Sequence, residues 1–107
     1  MKKEWMALAV ASALLPGAAL AGTAADMQAL ADKSGCFSCH GMQSKLVGPG
    51  FAEVAARYKG DSQAAERLAK KIREGGKGVW GRIPMPPHGS LGEDDAKKLA
   101  EWVLSAS

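Results

Sequence analysis

Beyond residue 25 the apolar positions first recur at helical spacing. Met27, Leu30 and Ala31 share one face, Asp26 precedes them as a cap, and Gly35 is placed to end the helix. A second amphipathic stretch is signalled from Pro49, where Phe51, Val54, Ala55 and Tyr58 fall on one side and Gly60 lies just past the end. A third begins at Asp61 or Ser62 and runs to about Glu74, with Leu68 and Ile72 one turn apart, basic Lys70, Lys71 and Arg73 late in the helix, and Gly75-Gly76 as the stop. The last follows Ser90, with Glu93 completing a capping box or Gly92 as the rival cap, and its inner face is Ala96, Leu99, Trp102 and Val103. No stretch alternates with period two, so the pattern predicts an all-α fold of about four short helices.

Between the third and fourth helices, residues 75–89 hold five glycines and three prolines. That composition excludes a regular element, and a long irregular segment inside a small domain calls for a functional reason. At the other end, Lys2 and Lys3 precede an apolar run from Trp5 to Leu15, and Ala19-Leu20-Ala21 supplies a small-residue cleavage pattern. This is the layout of a secretory signal peptide covering residues 1–21, which leaves 22–107 as a single mature domain. Pro16-Gly17 breaks the run, which falls short of the roughly 20 residues that span a bilayer, so no stable membrane insertion is expected after cleavage.

Removing Lys2, Lys3 and Glu4 takes the 14 basic and 11 acidic side chains to 12 and 10, a net charge of +2. The two signs interleave, as in Glu66-Arg67 and Arg73-Glu74, which reads as solvated helix faces and excludes a phosphate-tracking stripe for nucleic acid. A domain of this size buries a modest core and is often held together by a staple or cofactor. The chain's two cysteines lie in one short motif, so they cannot close a long stabilising loop.

That motif is Cys36-Phe37-Ser38-Cys39-His40, the C-x-x-C-H pattern of covalent haem attachment. On one helical turn, positions i, i+3 and i+4 project together, so two thiols can bond one edge of a porphyrin while the imidazole reaches the iron. A thioredoxin-like dithiol would need a βαβ context, which is missing. A zinc site would need four ligands, and after Cys36, Cys39 and His40 only His88 remains. A simple disulfide would leave His40 without a role.

Haem iron held by His40 needs a sixth ligand, and Met85 in Ile83-Pro84-Met85-Pro86-Pro87 is the candidate thioether. Met27 reads as core filler, Met42 is too close to His40 to reach the opposite haem face, and Met1 and Met6 belong to the leader. The flanking prolines stiffen this strap before any metal arrives. His/Met ligation raises the reduction potential, and His88, three residues further on, is the rival ligand.

With these residues in view the chain resembles the small bacterial class I cytochromes c of the c-551 type. Val47-Gly48-Pro49, Gly78-Val79-Trp80-Gly81, the Met85 strap and Trp102-Val103-Leu104 stand where that family's pattern has them, over about residues 26–105. The resemblance implies four helices wrapped round one covalently bound haem c, the terminal helices crossing near Gly35 and Trp102. It implies that the Pro49 carbonyl accepts the other ring N–H of His40 and that Trp80 donates to a haem propionate. Lys71 stands where a propionate-contacting arginine is common in the family, and Arg82 and His88 stand where proline and asparagine are expected.

The expected function is a monomeric, periplasmic one-electron carrier. With His40 and Met85 filling both axial positions no site stays open for substrate, so the chain is expected not to be an enzyme. By resemblance its redox partners would be a quinol–cytochrome reductase, a haem-cd nitrite reductase or a terminal oxidase. The competing readings are a haem enzyme or gas sensor with one position free, and a secreted zinc or dithiol module without haem.

Overall fold

The structure, a computed structural model, describes residues 23–107. The leader expected at residues 1–21 therefore lies outside the described residues. Four helices follow in chain order: α1 (Ala24–Lys33), α2 (Phe51–Arg57), α3 (Ala64–Glu74) and α4 (Glu93–Leu104). A single 3-10 turn, Cys36–Ser38, sits between α1 and α2. Among the described residues there is no strand, only two isolated antiparallel bridges, His40 with Lys45 and Gly76 with Met85.

The helix starts show how local chemistry sets boundaries. α1 begins earlier than its apolar spacing indicates, because the Thr23 hydroxyl accepts the Asp26 N–H at 3.1 Å while the Asp26 carboxylate accepts the Thr23 N–H at 3.2 Å. Asp26 is thus the third residue of a capping box and not the cap. At α2 the Glu53 carboxylate accepts the Gly50 N–H at 2.7 Å, which draws the start two residues past Pro49. Asp61 accepts the Gln63 N–H at 2.9 Å and pairs with Arg67, so a turn occupies Ser62 and Gln63 and α3 starts at Ala64. The Gln63 hydrogen bond, and then Arg67, hold the Asp61 carboxyl below the usual carboxylate range. At α4 the cap is Gly92, not Ser90.

Two packed clusters form the core. Ala31, Leu91 and Leu99 are buried in one, and Phe51, Val54 and Val103 in the other; Cys36, Phe37 and Trp102 pack against both. α4 is the central element, touching α1, α2 and, most extensively, α3. Ala64 on α3 and Ala96 and Ala100 on α4 are buried, and small side chains of this kind let helix backbones approach closely.

Phe37, Phe51 and Trp102 meet edge to face, with ring centroids 5.9, 6.4 and 5.5 Å apart. Each such pair is worth about 0.5–1.5 kcal/mol beyond its burial. The terminal helices do meet, through Ala31 of α1 and Leu99 of α4 in one cluster, with Leu91 just before α4 and Trp102 beside them. Gly35 takes no part in that close approach: a Cβ there would face open space.

Candidate haem-binding cleft

The C-x-x-C-H segment is one tight turn hung between the two core clusters. The N–H groups of Cys39 and His40 both donate to the Cys36 carbonyl, at 3.2 and 3.0 Å, so the backbone folds back within four residues. Phe37, the first residue between the cysteines, anchors the turn to Phe51 and Trp102. The motif's thiols and imidazole are thus positioned by a packed aromatic group and do not hang on a loop.

His40 is held from three sides. Its Nδ1 lies 2.7 Å from the Pro49 carbonyl oxygen. Its ring stacks on Phe51, with centroids 5.1 Å apart and 22° between planes. Its third contact is Gly48, where a Cβ would stand 2.7 Å from the imidazole Cε1. A carbonyl can only accept, so Nδ1 carries the proton and Nε2 keeps its lone pair for a metal.

Met85 belongs to an extended strap clipped to the end of α3. Gly76 N–H donates to the Met85 carbonyl at 3.1 Å, and Met85 N–H donates to the Gly76 carbonyl at 2.7 Å. Pro84 and Pro86 on either side have no N–H to give, so this pair of bonds sets the strap's register.

Cys36, Cys39, His40, Pro49, Lys71, Trp80 and Met85 all line one cleft, which encloses 1330 Å³ of empty space counting the part open to solvent. Leu68, Ile72, Leu99 and Val103 give it apolar walls. Every charged side chain lining it is basic, namely Lys45, Lys71, Lys77 and Arg82. The donor set therefore suits a flat, largely apolar group that bonds two thiols, takes one imidazole nitrogen and carries carboxylates.

His88 lies elsewhere. It does not line the cleft; its backbone N–H donates to Ile72 and its Nδ1 is buried without a partner. Among the described residues no group of three His, Cys, Asp or Glu side chains converges as a metal site, so a zinc module lacks its ligands. Burial pushes the Cys36 thiol above its ordinary range, against a smaller lowering by a backbone hydrogen bond, which opposes the reactive thiolate of a dithiol redox site.

A cytochrome c family model matches residues 24–107. The chain belongs to the cytochrome c family. It is 45% identical over 105 residues to a cytochrome c-552 of Nitrosomonas europaea, covering 98% of each chain. It is 56% identical over 71 residues to a cytochrome c-551 of Azotobacter vinelandii, covering 66% of this chain and 85% of the relative. The crystal structure of the wild-type N. europaea cytochrome c552 superposes with a TM-score of 0.72 at 45% identity, covering 75% of this chain and 99% of the other. The chain is thus an electron carrier and not an enzyme, and Cys36 and Cys39 fit the motif that binds one covalently attached haem c.

Several residues of the cleft carried no signal in the sequence. Lys77 could be read only as one more charge in a glycine-rich segment. Phe37, which anchors the attachment turn from outside the cleft lining, sat in a variable place of the motif. Val79, 46% exposed, joins Met42, Leu46, Val47 and Ile83 as the large apolar side chains left in solvent. Val47, Val79 and Ile83 lie on the cleft's own lining, so the exposed apolar surface and the cleft are continuous.

Proposed function

We propose that this cytochrome is a periplasmic one-electron carrier whose haem iron is ligated by His40 and Met85, with residues 1–21 as its cleaved export signal. The observation that carries the ligand reading is the His40–Pro49 contact, which leaves Nε2 as the free donor inside a cleft that Met85 also lines. When bound, the haem supplies an iron(III)/iron(II) couple. The protein's own part is to keep the surroundings of that couple unchanged as the charge alternates. Pro49 holds the imidazole through its carbonyl and favours electron donation by the ring. Gly48 admits the ring edge, and the Gly76 bonds hold the methionine strap. Apolar walls keep water out, while Lys71 and Trp80 are suited to the propionates.

The test is a pyridine haemochrome assay on protein taken from the periplasm, followed by exposure of the native reduced protein to carbon monoxide. One covalent haem per chain and no carbon monoxide complex are expected. Absence of haem would overturn the cofactor reading, and strong carbon monoxide binding would favour a haem enzyme or sensor with an open position.

Docking to redox partners is assigned to the apolar rim of Met42, Leu46, Val47, Val79 and Ile83, with Lys45 and Arg82 beside it. The partner classes that fit are a quinol–cytochrome reductase, a haem-cd nitrite reductase or a terminal oxidase, meeting a monomer of this protein through a transient contact under about 1,200 Å². Charge at such a rim mainly speeds encounter and is screened by salt. Lys45→Glu is therefore expected to slow electron transfer to an acidic partner at low ionic strength only, whereas Val47→Asp slows it at any salt. Stopped-flow mixing across a salt series separates the two, and a salt-independent loss in Lys45→Glu would contradict the assignment.

A further inference from the structure

The rim of the cleft at residues 78–81 has little to hold it in place by itself. It begins and ends in glycine, is closed by one hydrogen bond from Gly78 N–H to the Gly81 carbonyl at 2.9 Å, and carries Val79 outward into solvent. Yet Trp80, at its centre, lines the cleft and packs against the cluster of Phe51, Val54 and Val103. Something must fix the indole.

Arg57, the last residue of α2, crosses to this turn from 22 positions away in sequence. Its guanidinium carbon lies 4.4 Å from the Trp80 ring centroid, and its Nη1 donates to the Val79 carbonyl at 3.1 Å. Among the described residues no other side chain makes a hydrogen bond into the turn. The two contacts act on adjacent residues and from one rigid plane, so they restrain both the backbone and the indole. A lysine could place charge there but could not stack flat and donate sideways at once.

The geometry points to Arg57 as a positioning residue for the haem, acting through Trp80 and the 78–81 rim. This rests on the haem reading given above. Two effects follow from one side chain. The clamp keeps the indole in its cleft-lining pose, and a fixed positive charge behind the indole disfavours the oxidised state, which carries one more positive charge than the reduced state. Arg57 is exposed, so water screens the second effect and the shift in potential is expected to be modest.

The experiment uses the holoprotein and the variants Arg57→Gln and Arg57→Lys. Haem content by pyridine haemochrome comes first: a wild-type protein without covalent haem would overturn the cofactor reading, and this inference with it, before any variant is compared. With haem present, Arg57→Gln is expected to raise hydrogen exchange at the Gly78 amide by about three- to tenfold, to alter the Trp80 near-ultraviolet signal, and to lower the reduction potential. Arg57→Lys is expected to share the exchange and optical changes but to retain most of the potential. Unchanged exchange in both variants would overturn the clamp. Faster exchange with an unmoved potential in Arg57→Gln would reduce Arg57 to a structural pin and overturn its role toward the haem.

Discussion

Met85→His keeps the haem covalently attached and lowers the reduction potential by on the order of 0.1 V or more, within the roughly 0.8 V that axial ligands command. The reason lies in the donor atom. A neutral, soft thioether favours the reduced iron, whereas imidazole donates more strongly and favours the oxidised iron. Cys36 and Cys39 are untouched by the change, so the haemochrome assay stays at one haem per chain while a redox titration records the shift. Met85→Ala is the companion. It opens the sixth position, and the reduced protein should then bind carbon monoxide. A wild-type potential in Met85→His together with no carbon monoxide complex in Met85→Ala would remove Met85 from the ligand set.

Gly75→Ala is expected to displace the same proposed ligand from a distance. Gly75 adopts φ +74° and ψ −172°, a region essentially restricted to glycine. A Cβ there would stand 2.5 Å from the Met85 carbonyl oxygen and 2.9 Å from the Pro87 nitrogen. Those atoms are backbone and the strap is proline-stiffened, so no side chain can rotate away to relieve the clash. The backbone conformation costs about 1–3 kcal/mol, and forcing the strap outward adds a comparable overpacking penalty. Spectra should therefore show loss of methionine ligation in part of the population, with a lowered potential and carbon monoxide binding, while covalent haem is retained.

Gly35→Ala is the control. Gly35 has φ +84° and also strains an alanine, but a Cβ there meets nothing within 4 Å. It is expected to lower stability by about 1–2 kcal/mol and to leave the potential unchanged. If Gly75→Ala behaved like this control, the strap would not depend on its seat at the end of α3.

Much of the proposed site was legible in the sequence because its chemistry is local. Cys36, Cys39 and His40 fall within one turn, and the physical demand on them, three bonds from one backbone reversal, is written in their spacing. The Met85 strap is legible for a related reason: prolines at 84, 86 and 87 restrict the backbone whatever surrounds them. Helix existence followed from the spacing of Leu68 and Ile72 or of Leu99 and Val103, since a 3.6-residue period marks a buried face without reference to what covers it. Helix starts were less legible. Thr23, Gly50 and Gly92 compete with neighbours of similar capping chemistry, and differences of a few tenths to about 2 kcal/mol decide between them.

By itself, then, the amino-acid sequence determined the all-α class, the haem-attachment turn and the methionine strap, because each depends on contacts within a few residues. Only the tertiary structure decided what meets across the cleft. It brought Pro49 to the far side of the His40 ring, seated Met85 against Gly75 and Gly76, left only basic charges on the cleft lining, and kept the half-buried His88 away from the cleft. It also laid Arg57 on Trp80, a pairing between an exposed helix end and a glycine-rich turn that no periodicity encodes. Such contacts arise from the way α2 and α3 pack on α4 and the strap bonds to the end of α3, and the energy of any one of them is too small to leave a mark on local pattern.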